Sequence, residues 1–149
     1  MSEIRSFRGL IADSGIETIT LHTNTGTTGY KIKKLSIIPD KPVTAANECV
    51  IQIWKIPQTA ASSDVDFSNN TLLAVGIYSN QTDTTYYPDD ETIIFDSEVF
   101  NQDIYITHKN ETGSRSCNYY LELEVVKLDL VENTVATLKD IRNIIRNEP

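Results

Sequence analysis

The chain has 149 residues, 40% of them hydrophobic, and a formal net charge of −8. This length suits one domain able to bury a core without metal or disulfide staples. The acidic balance argues against nucleic acid, whose phosphates call for a basic footprint. No apolar run is long enough to span a bilayer, and charge begins at Glu3, too early for a secretory h-region. A soluble chain made in a cytosol is therefore expected, with no membrane association. The charge is lopsided: residues 1–55 carry seven Lys/Arg against five Asp/Glu, and residues 56–149 carry six against sixteen. A charge run of this kind is either a solvated surface or one of two complementary faces in a repeating assembly.

In chain order, Ile4–Ile11 and Glu17–His22 read as short strands separated by the turn residues Asp13-Ser14-Gly15. Thr23–Gly29 is a polar loop. The next strand, Tyr30–Ile38, places Tyr30 and Ile32 on one parity but Leu35 and Ile37 on the other. The switch at Lys33-Lys34 predicts a β-bulge. Glu48–Ile56 is apolar on both parities, which predicts burial on both faces. Gln58–Asn70 is the longest loop, with Phe67 as its expected plug, and loops of this length are often functional or mobile.

Thr71–Tyr78, Glu91–Asp96 and Asp103–His108 are the following strands, with Tyr86-Tyr87-Pro88 in a loop before the second of them. The final strand, from Asn118 to Leu128, alternates strictly. Tyr119, Leu121, Leu123 and Val125 face one way, and Tyr120, Glu122 and Glu124 the other. Eight strands at short spacing, with no helical pattern among them, predict an all-β sandwich of two antiparallel sheets over residues 1–132. A jelly roll is the favoured topology, with an immunoglobulin-like arrangement next.

Residues 133–149 form a separate segment with helical periodicity, Asn133 serving as its N-cap. Val135, Leu138, Ile141 and Ile145 make its apolar stripe, while Lys139, Asp140, Arg142 and Arg146 face away. Such a helix either folds back over its own sandwich or docks on a neighbour, and the stripe is the candidate interface.

Chemistry is sparse. There is no Gly-x-Ser-x-Gly elbow, no glycine-rich phosphate loop and no twelve-residue calcium loop, so no catalytic residue, metal site or cofactor is predicted. Cys49 and Cys117 lie 68 positions apart, form no metal-ligand pattern, and open predicted strands, so buried free thiols are expected. His22 and His108 each end a strand and are expected at the surface. A Cys–His nucleophilic pair has no supporting signature. The acidic set Asp89, Asp90, Glu91, Asp96, Glu98 and Asp103 reads as solvated loops. The sequons at Asn69, Asn80 and Asn110 read as turn residues. Most aromatics fall in strands, which leaves Tyr86 and Tyr87, together with Phe67, as the possible ligand contacts.

The runs Gly29-Tyr30-Lys31-Ile32-Lys33-Lys34-Leu35, Asn101-Gln102-Asp103-Ile104-Tyr105-Ile106-Thr107 and Cys117-Asn118-Tyr119-Tyr120-Leu121-Glu122-Leu123-Glu124, with the ending Thr137-Leu138-Lys139-Asp140-Ile141-Arg142-Asn143, resemble small virion structural proteins of marine tailed bacteriophages. The resemblance covers most of the chain and includes no site motif. It implies a non-enzymatic, multi-copy particle component such as a capsid decoration or cement subunit. Such a subunit would be made in the host cytoplasm and carried on the virion. Its partners would be major capsid or tail subunits and further copies of itself. A tail-associated receptor- or glycan-binding module is the alternative.

Overall fold

A computed structural model of the chain describes residues 3–21, 27–42, 45–80, 90–112 and 114–128. Among them are eight strands and no helix: β1 (Glu3–Ile11), β2 (Ile16–Ile19), β3 (Thr28–Pro39), β4 (Glu48–Trp54), β5 (Leu72–Ser79), β6 (Asp90–Phe95), β7 (Ile104–Asn110) and β8 (Cys117–Lys127). They form a three-stranded sheet of order β1-β8-β3 and a five-stranded sheet of order β2-β7-β4-β5-β6, with every pairing antiparallel. The fold is all-β and sandwich-like. The segment with helical periodicity, residues 133–149, lies outside the described residues.

The core follows from period-two alternation. Tyr119, Leu121 and Leu123 of β8 and Ile32, Leu35 and Ile37 of β3 face Ile51 and Ile53 of β4 and Ile104 and Ile106 of β7. The expected bulge is present, as the β3–β8 register shifts between Ile32 and Lys34. By absorbing one residue there, β3 keeps Ile32 and Leu35 on the buried face despite their odd spacing.

β4 is buried on both faces, as its sequence requires, and the second cover comes from the chain itself. Val50, Leu72 and Val75 form a smaller outer cluster with Trp54, Ile77 and Val65. The long loop is pinned over it because the Gln52 amide donates to the Ser62 carbonyl at 2.9 Å and to the Asp64 carbonyl at 3.0 Å. Here the expectation for Phe67 fails: it is 66% exposed, and Val65 packs in its place. The cause is local. Asp66 Oδ1 accepts from the Ser68 backbone N–H at 2.9 Å and hydroxyl at 2.6 Å, and the resulting tight turn leaves Phe67 outside.

The outer face of the three-stranded sheet brings the two charge halves of the sequence together. Register sets Lys31 opposite Glu124 and Lys34 opposite Glu122. Glu124 lies 3.4 Å from the Lys31 ammonium and 3.6 Å from that of Lys33. The basic N-terminal half thus meets acidic β8 within one molecule. Further along the same face, Leu10 and Ile38 flank Asn118 in one row and are 53% and 55% exposed.

Candidate functional site

A network of buried asparagines, Asn47, Asn80 and Asn110, ties the loops together at one end of the sandwich. The Asn80 amide donates to the Pro42 carbonyl at 2.7 Å, and its oxygen accepts from the Asn47 backbone N–H at 2.7 Å. Asn110 receives the Glu48 N–H and donates its own backbone N–H to Asp13 Oδ1 at 2.8 Å. Two of the three sequon asparagines, Asn80 and Asn110, are therefore buried loop clamps. The third, Asn69, accepts from the Thr71 N–H and hydroxyl in a turn.

Next to this network lies the one group of metal-ligating side chains among the described residues: Cys49, His108 and Cys117. Cys49 and His108 belong to neighbouring strands of the five-stranded sheet. Cys49 is opposite Asn110 and His108 opposite Ile51, so the two are diagonal neighbours on the inner face. Cys117 opens β8 between Ile11 and Pro39 and approaches from the other sheet. The two sulfurs and a ring nitrogen of His108 lie within 4.8 Å of one another, and all three residues are 0% exposed.

His108 is a correction to the sequence reading, which placed it at the surface. Ile104, Ile106 and His108 share a parity, and β7 runs on to Asn110 between β2 and β4, so the histidine points into the sandwich. The Asp13–Gly15 turn closes over it. His108 Nδ1 lies 3.1 Å from the Ala12 carbonyl, and the His108 backbone N–H donates to the Gly15 carbonyl at 3.1 Å. A carbonyl only accepts, so Nδ1 carries a hydrogen and Nε2 is left as the nitrogen with the lone pair. Nε2 is buried and has no partner at hydrogen-bonding distance and angle, although Cys49 is near enough to act on the ring.

The three groups perturb one another. The Cys117 thiol, donating toward Cys49, holds the Cys49 pKa down at about 6, against burial and with help from His108. Donating that same bond, and then burial, push Cys117 well above the usual thiol range. Burial pulls His108 down, but Cys49, the Ala12 carbonyl and Asp13 outweigh it and leave the imidazole raised. Cys49 is thus the sulfur most inclined to be a thiolate, and soft-metal binding is the chemistry this donor set suits. Nucleophilic attack needs an approach for substrate, which a cluster with no exposed atom surface does not offer.

Of the remaining candidates from the sequence, few fall among the described residues. Phe67 stands alone on its loop, and Tyr86, Tyr87, Val135, Leu138, Ile141, Ile145 and His22 lie outside the described residues. Three members of the acidic set have separate roles: Glu98 pairs with Lys55 at 2.9 Å, Asp103 accepts the Leu21 N–H at 2.8 Å, and Asp96 caps the Glu98 N–H at 3.1 Å. On the exterior, Arg8, Ser36, Ile38, Asn118, Tyr119 and Tyr120 line a shallow groove of about 180 Å³ on the three-stranded sheet. Fold and site together define an all-β, two-sheet protein with a buried Cys2His cluster. Comparison with protein-family models gave no match, and neither did comparison with curated protein sequences.

Proposed function

We propose that this chain is a non-enzymatic structural subunit acting through protein–protein contacts, in the manner of a capsid decoration or cement protein of a tailed phage. The observation that carries the reading is the outer face of the three-stranded sheet. Leu10 and Ile38 expose more than half of their surface on either side of Asn118, beside the groove lined by Arg8 and Tyr120. Aliphatic side chains set in a polar rim suit a protein neighbour better than a small polar substrate. The strand order favours a jelly roll. The sheets β1-β8-β3 and β2-β7-β4-β5 are paired as in two interlocked Greek keys, with β6 hydrogen-bonded beside β5. Partners on this reading are virion proteins and further copies of the chain, and the stripe Val135, Leu138, Ile141 and Ile145 is a second contact.

Absolute mass by light scattering behind a sizing column tests the proposal, on the wild type, on Leu10→Glu/Ile38→Glu, and on a chain ending at Asn133. An oligomer that the double substitution dissociates supports the sheet face as the contact, and one lost on truncation supports the helix. A monomer in every case that also fails to bind phage particles overturns the assembly role. The exposure of Phe67 at its loop tip favours a second reading, a tail-associated receptor- or glycan-binding module. Glycan-array binding lost in Phe67→Ala would support that reading over the first.

A further inference from the structure

We propose that Cys49, His108 and Cys117 supply three of the four ligands of a structural site for the borderline-soft d10 cation Zn²⁺, which clamps the two sheets together. The donors are two sulfurs and an imidazole, a set that selects zinc or copper(I) over hard cations. They come from both layers, Cys49 and His108 from one and Cys117 from the other, so a bound ion would cross-link the sandwich through its interior. The His108 orientation fits a ligand. Its Nδ1 is committed to the Ala12 carbonyl, the outer-shell bond that metal-binding histidines make, and its buried Nε2 is without a hydrogen-bond partner. An orphan nitrogen in a fully buried position costs stability unless something occupies its lone pair.

Size and charge support the same ion. Zinc bonds of about 2.3 Å to sulfur and about 2.0 Å to nitrogen put ligand atoms roughly 3.5–4 Å apart. The observed limit of 4.8 Å closes to that spacing by shifts smaller than a bond length. Two thiolates and a neutral imidazole balance a dication, which leaves the desolvated core uncharged. Copper(I) would leave a net negative charge there. Because the site has no exposed surface, the ion would enter as the chain folds and would exchange slowly afterwards.

The test uses the full chain refolded under reducing conditions with and without Zn²⁺, followed by desalting and metal analysis. Equimolar retained zinc, with a raised Tm against protein refolded without it, is the expected result. Refolding with Co²⁺ should give a thiolate-to-cobalt charge-transfer band, a readout that needs no substituted protein to fold. Cys49→Ala and Cys117→Ala should each weaken zinc binding by more than the ~100-fold that outer-shell changes cause. Zinc retained equally by the double variant Cys49→Ala/Cys117→Ala would place the ion elsewhere and overturn the proposal. So would a wild type with no cobalt band, one whose mass shows the two thiols joined as a disulfide, or one that holds copper(I) but not zinc.

Discussion

Tyr119 of β8 donates its hydroxyl to Glu17 Oε2 of β2 at 2.9 Å, so a side-chain hydrogen bond joins the two sheets at the edge of the core. Both residues come from strands that were readable in the sequence. Their meeting depends on how the sheets stack.

Tyr119→Phe keeps the ring and removes the bond, so a stability loss of about 1 kcal/mol is expected from denaturant titration. Burial first, and then the Glu17 carboxylate, hold the Tyr119 pKa above its ordinary 10.0. A raised acid binds its proton more tightly in the folded state. Its stabilisation is complete below pH 10 and is lost as pH rises through the folded value. Wild type should therefore lose stability above pH 10 more steeply than Tyr119→Phe, and parallel curves would refute the assignment.

Gln52 holds the long loop over the outer apolar cluster with two donated bonds. Gln52→Ala should cost about 1–3 kcal/mol, since both carbonyls lose a buried donor. Amide exchange should accelerate over residues 59–66 while β7 and β8 stay protected. Uniform acceleration would mean that the loop does not open on its own.

Lys55 and Glu98 form a nearly buried ion pair at 2.9 Å, with side chains 3% and 11% exposed. Lys55→Met should destabilise by about 3 kcal/mol, because a carboxylate is left desolvated without its main partner. The double variant Lys55→Met/Glu98→Gln should recover part of that loss. A thermal-melt double-mutant cycle checks it, and strict additivity would show the two charges to be uncoupled.

Cys49 leans toward the thiolate but is 0% exposed, as is Cys117. Neither should react with a thiol reagent in the native protein, and both should react once denaturant unfolds it. The measurement is reagent consumption against denaturant concentration, which should track the unfolding transition. Reaction well before that transition would mean that the end of the sandwich opens locally.

Much of the fold was legible because strands write their burial into alternate residues. The parity of β8, the bulge at Lys33 and the doubly buried β4 all follow from which positions are apolar. Even His108 carried a signal, since it continues the inward parity of Ile104 and Ile106. Its position at a predicted strand end hid it, because the strand extends two residues further. Phe67 misled for the opposite reason: aromatic size suggests burial, but the Asp66–Ser68 turn decides where it goes.

What the sequence alone determined, then, is the element type and the face each residue takes, because both are local properties of a pleated chain. Tertiary structure decided which elements meet. Residues 68 positions apart in Cys49 and Cys117 come within 4.8 Å of each other and of a histidine only when the two sheets stack. Strand order and sheet packing are settled by the burial of the whole apolar surface, so no window of sequence contains that cluster.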